Sequence, residues 1–180
     1  MKGKAAVTNI KRLLFAKQSM MVAIVGCESA LRRELTASER TIYSAGIAAT
    51  YGSSFTDANG LGKLQKDFEA FPNKSLKDSH DSALKCRHEL FAHRDMRATG
   101  TNKFGKPVVL HRVWVEIDPS GYPELVTTDI KWKDSVFELM GQLCQFQLNR
   151  LDQEFKKAFA EMHSGTKKAP GRYELGVDYP

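Results

Sequence analysis

CRHELFAHRD, Cys86 to Asp95, is the stretch on which the reading of this chain turns. Leu90 and Phe91 look like the buried side of a helix, yet Arg87, His88, His93 and Asp95 interrupt the run. Ala83, Leu84, Leu90 and Phe91 all stand three or four residues from Arg87, so a helix puts the arginine inside its own apolar stripe. A charge there demands either a partner or a task.

The segments on either side read as helices. Ile10, Leu13, Leu14, Met20, Met21, Ile24 and Leu31 fall near a helical spacing, which predicts a first helix from about Thr8 to Leu35. Thr36-Ala-Ser-Glu39 fits the capping box, so a second helix should start there and run to about Tyr51. Leu61, Leu64, Phe68 and Phe71 suggest a short third helix stopped by Pro72. The fourth, from about Ser75 to His93 or Asp95, carries the quoted stretch, and the polar run ATGTNKFGKP after it reads as a loop.

Then the period changes. VVLHRVWVEI is rich in β-branched residues, DPSG is a turn sequence and YPELVTTDI resumes extended character, so Val108 to Ile130 reads as a β-hairpin in which Pro123 opens a strand or lies on an edge. A last amphipathic helix follows over about Asp134 to Met162, with Asp134 as its candidate cap. The expected fold is all-α: an up-and-down bundle of four to five helices with a β-hairpin inserted before the last long helix. One domain should cover residues 1–163, with an irregular tail over 164–180.

Composition narrows the function classes only a little. The chain has 180 residues, a charged content of 27% and three cysteines, Cys27, Cys86 and Cys144, with no CxxC pair. Reduced thiols in the cytoplasm fit that usage. IVGC, Ile24 to Cys27, has the look of a lipoprotein cleavage box, but Lys17 and Gln18 break the apolar run before it, so neither a signal segment nor a membrane span is expected. Net charge is +6, and between Lys85 and Arg112 seven basic side chains face two acidic ones. That concentrates positive field on the odd helix and the loop after it, the footprint of a polyanion partner or of a plain solvated surface.

HELFAH invites a zinc reading, which geometry opposes. His88 and His93 are five residues apart, about 140° around a regular helix, whereas two ligands of one ion need a shared face. His80 adds no ligand spacing, so no metal and no cofactor is expected. No phosphate-binding glycine loop or nucleophile elbow occurs. Arg87 and His93 instead suit phosphate chemistry: a guanidinium fork binds phosphate oxygens, and an imidazole moves protons near neutral pH. RNA brings its own nucleophile, the 2′-hydroxyl, and needs no metal.

Arg87-His88-Glu-Leu-Phe-Ala-His93 resembles the motif of the HEPN family, an arginine followed commonly by Asn, Asp or His, then by a histidine after four to six residues, on a late helix of an all-α bundle. The AHRD continuation and the segment YGSSF, Tyr51 to Phe55, are also similar to bacterial proteins of that group, while the hairpin is an addition to the minimal plan. The resemblance implies a metal-independent endoribonuclease, often a toxin or phage-defence effector, working as a homodimer with one composite cleft and commonly beside an antitoxin protein. It implies that Arg87 binds and stabilises the phosphate, that His93 moves protons and that His88 supports them. Arg94 and Arg97 become candidates for neighbouring RNA phosphates. On a regular helix Arg87 and His93 stand about 120° apart, so a dyad of two helices would present them better than one.

Other readings stand beside this one. The chain could be a non-catalytic helical module binding nucleic acid, nucleotide or a protein partner through the same basic surface. It could be a structural dimerisation protein in which Arg87 pairs with an acidic side chain of another helix. His93 could serve only the helix dipole, and Tyr51 and Phe55 read as packing near a helix end.

Overall fold

The computed structural model describes residues 2–57, 60–88, 99–101, 107–109, 113–117, 119, 123–127 and 132–163. It is mostly helical, built on α1 (Lys2–Leu31), α2 (Ala37–Ser53), α3 (Lys74–Lys85) and α4 (Asp134–His163). The two 30-residue helices, α1 and α4, pack along each other, α2 lies on α1, and α3 closes against α4 and α2.

Sequence chemistry explains where these helices start. Thr36 caps α2, its hydroxyl accepting from the Glu39 amide at 3.3 Å while the Glu39 carboxylate accepts from the Thr36 amide at 2.9 Å. Arg33 donates to the same carboxylate at 2.7 Å, and these bonds hold Glu39 down at about 2. Asn73 caps α3 through its side-chain oxygen and the Leu76 amide, 2.9 Å, which places the helix start one residue before the expected Ser75. Asp134 opens α4, but its carboxylate accepts from Arg40 at 2.7 Å and so ties α4 to α2. Ser44 adds a second tie, accepting from the Trp132 amide at 3.1 Å and donating to the Arg40 carbonyl at 2.6 Å.

Three expectations need correction. The helix expected over Leu61 to Phe71 is a single 3-10 turn, Lys66–Glu69. Gly60 and Gly62 take φ of 66° and 75°, outside the helical region, so the chain enters this segment as a turn. Leu64 and Phe68 are buried all the same, anchoring an irregular segment on the core. Second, α1 starts near the chain's beginning and stops at Leu31. Third, part of the stretch read as loop is paired: β1 (Thr99–Thr101) runs antiparallel to β2 (Pro107–Val109). A separate antiparallel pair, β3 (Val113–Ile117) with β4 (Pro123–Thr127), sets Trp114 opposite Val126 and Ile117 opposite Pro123. Pro123 opens β4, where its missing N–H costs least.

The core lies where α1, α2 and α4 meet. Leu13, Ala16, Met20, Ala23 and Cys27 of α1 face Phe137, Met140, Leu143 and Cys144 of α4, with Ile47, Ala48 and Tyr51 of α2 completing the layer. Full burial of each large side chain contributes about 1.5–3 kcal/mol before entropy is subtracted. By length and hydropathy alone Lys4–Leu31 is a candidate membrane span, a test that a core helix also passes. Its Met20, Ala23 and Cys27 are spent on this protein core.

Candidate functional site

The C-terminal turn of α2 and the face of α3 carrying Leu76, His80 and Ala83 meet at YGSSF. Tyr51 and His80 are both buried, and the tyrosine hydroxyl lies 2.7 Å from His80 Nδ1. Phe55 stands edge-on to the imidazole at 4.7 Å between ring centres, Phe71 tilts over it at 4.9 Å and Tyr51 meets it edge-on at 5.8 Å. Burial lowers the His80 pKa more than the nearby Asp81 and Glu69 carboxylates raise it. Burial also pushes the Tyr51 hydroxyl well above its usual range, despite the neighbouring Gln147 amide. Both rings are therefore neutral at physiological pH, a hydrogen-bonded pair inside an aromatic cage.

Gln147 of α4 reaches the same layer and donates from Nε2 to the Phe68 carbonyl at 2.8 Å. Its Oε1 is buried without a hydrogen-bond partner among the described residues. Sequence patterning offered no route to this group of side chains, because Tyr51, His80 and Gln147 come from three helices far apart in the chain. Only the packing role of Tyr51 and Phe55 was legible.

Arg87 lies two residues beyond the end of α3, where its side chain packs on Gly52 of α2. Regular α-helix ends at Lys85, and Cys86–His88 continue in a wider π turn, a geometry that often accompanies functional positions. The half-buried Arg87 stem crosses buried Gly52, and a β-carbon on that glycine would collide with Arg87 Cδ. Gly52 is needed here for space alone, since it sits inside a helix. Packing holds the stem: among the described residues Arg87 forms no hydrogen bond and no ion pair. The interior carboxylate expected by the structural reading of Arg87 is therefore not found among the described residues.

His88 is exposed, next to Arg87 in sequence. His93, Arg94 and Arg97 lie outside the described residues, as do Leu90 and Phe91 of the quoted stretch. The angle of about 120° between Arg87 and His93 presumed a regular helix, which ends before Arg87. Cys86, on the other side of Arg87, lines an open groove of about 710 Å³ between α3 and the start of α4. Ser75, Asp78, Ser79 and Ser82 form its polar wall, and Trp132, Leu139 and Met140 line its apolar one.

Among the described residues no group of three His, Cys, Asp or Glu side chains is placed to hold a metal ion. His80, the third imidazole weighed as a ligand, is enclosed by rings instead. What this arrangement offers chemically is a cation: a guanidinium braced along its stem by glycine and unspent on any described carboxylate, beside an exposed imidazole. No protein family, curated protein or solved structure matched the chain.

Proposed function

We propose that the chain is a metal-independent endoribonuclease of the toxin or phage-defence type. The observation that carries this reading is Arg87 itself, packed on Gly52 and not neutralised by a carboxylate among the described residues. A structural arginine at such a depth would be expected to have its charge matched. One left without a carboxylate among the described residues is available to a phosphate, whose oxygens a guanidinium fork binds more tightly than a neutral donor does.

In this reading the chain has the HEPN-like plan, an up-and-down helical bundle with a hairpin inserted before the last helix. It works in the cytoplasm as a homodimer whose Arg87, His88 and His93 flank one RNA phosphodiester. An imidazole takes the proton of a ribose 2′-hydroxyl, and the freed oxygen attacks the adjacent phosphorus. Arg87 stabilises the crowded phosphate, the bond to the 5′-oxygen breaks, and that oxygen leaves with a proton from a second imidazole. The products are a 2′,3′-cyclic phosphate and a 5′-hydroxyl. Arg94 and Arg97 hold neighbouring phosphates, which fix register without reading sequence. A neighbouring antitoxin protein would restrain such an enzyme.

Incubating the purified protein with RNA in EDTA tests this directly. Cleavage with cyclic phosphate ends is expected, and His93→Ala should slow it by about a hundredfold or more. RNA that is bound in a salt-dependent manner and stays intact would replace this reading with the non-catalytic binding module. RNA neither bound nor cut would leave the dimerisation protein.

A further inference from the structure

We propose that the outward face of α1 is a contact between two copies of this chain, with the two helices antiparallel about a two-fold axis. Leu13, Ala16, Met20, Ala23 and Cys27 turn α1's inner face to the core. Nearly opposite stand Lys11, Leu14, Gln18, Met21, Val25 and Glu28, all exposed. Their spacings alternate between three and four, the 3.5-residue period of a two-helix seam rather than a random scatter on a solvated face. Met21 and Val25 are 50% and 59% exposed, and Val22 beside them is 54% exposed, side chains for which the core has no use. Their grouping on one face is what distinguishes an interaction site from isolated surface apolar residues.

The order of residues along the seam identifies the occupant. An axis passing between Gln18 and Met21 brings Leu14 onto the second copy's Val25 and Gln18 onto its Met21. The same axis brings Lys11 onto the second copy's Glu28, and symmetry makes each pairing twice. Opposite charges therefore meet at both ends of a centre made by Leu14, Met21 and Val25 with Gln18. In a parallel pairing Lys11 would face Lys11 and Glu28 would face Glu28, so the charges select the antiparallel one. Among the described residues Glu28 is held by Arg32 at 3.4 Å, an exposed pair that yields easily.

A seam of about five turns buries less than the ~800 Å² per partner of a standard interface, so association is reversible and concentration-dependent. The contact does not depend on the ribonuclease reading. Arg87 belongs to the stretch after α3, whose main neighbours are α2 and α4, and substitutions on α1's outer face leave it untouched.

Sedimentation equilibrium of the full chain, with circular dichroism as the folding control, tests the proposal. The wild-type mass should rise with concentration. Lys11→Glu and Glu28→Lys should each weaken association about tenfold, since each sets like charges together twice. Lys11→Glu combined with Glu28→Lys should recover it, and Val25→Glu should lower the mass without loss of helicity. A wild-type mass that does not change with concentration overturns the proposal. So do single reversals that associate like wild type, a double reversal that stays dissociated, or α1-dependent binding to phospholipid vesicles by a chain that never self-associates.

Discussion

The side chain of Arg87 passes through the space that a β-carbon on Gly52 would fill, so the arginine's position is set by what α2 lacks. Three residues of YGSSF thereby act on α3 and the turn after it. Tyr51 and Phe55 grip His80, and Gly52 makes room one layer along for Arg87. The Tyr51–His80 bond fixes how α3 sits on α2, and the arginine's reach follows from it.

Gly52→Ala should move the guanidinium without unfolding the protein. The added methyl forces Arg87 to another rotamer or shifts the turn, a strain of about 1–3 kcal/mol. A displacement of an ångström at a reacting phosphate can cost about a hundredfold. RNA cleavage should therefore fall far more than the melting temperature does. An unchanged rate would mean that Arg87's position over Gly52 is irrelevant to activity.

Acid should loosen the His80 cage. Burial lowers the His80 pKa below its ordinary value of 6.5, so the stability tied to neutral His80 is complete above that value and is lost as pH falls toward the folded-state pKa. Melting temperatures measured between about pH 7.5 and pH 5 should fall for wild type and fall less for His80→Gln, since glutamine carries no proton to gain. Parallel curves for the two proteins would place the acid sensitivity elsewhere.

Tyr51→Phe keeps the ring and removes the hydroxyl bound to His80. The loss should be about 1–3 kcal/mol, because Nδ1 is left buried and unpaired. Denaturant midpoints read it. A midpoint equal to wild type would show that the bond contributes nothing.

Thiol accessibility should separate the three cysteines. Cys27 is buried and pushed up to about 12 by that burial, and Cys144 is also raised by burial, whereas Cys86 is half-buried at the groove. One cysteine should react with a thiol reagent in the native protein and the other two only on unfolding. Two or three fast equivalents would contradict the packing of α1 on α4.

The features legible in the sequence were those whose physics is local. Thr36 and Glu39 lie three residues apart and satisfy each other's backbone partners, so the start of α2 could be read directly. The apolar spacing of Phe137, Met140, Leu143 and Cys144 similarly gave α4. Leu61 to Phe71 misled because its apolar spacing imitates a helix, while Gly60 and Gly62 bend the chain and tertiary burial of Leu64 and Phe68 alone sets their periodicity. Leu90 and Phe91 of the stripe read around Arg87 lie outside the described residues, and the support that Arg87 does have was not legible. That support comes from a missing side chain on another helix, which no pattern within CRHELFAHRD can encode. The break in regular helix at Lys85 also escaped, and with it the angular argument for Arg87 and His93.

The most direct test of a guanidinium held ready for phosphate is to measure melting temperature and RNA cleavage together in Arg87→Ala. With no carboxylate partner among the described residues to strand, the variant should melt within a few degrees of wild type while cleavage drops by about a hundredfold or more. A collapse in melting temperature like that of a broken buried ion pair, about 3–5 kcal/mol, or cleavage at the wild-type rate, would contradict it.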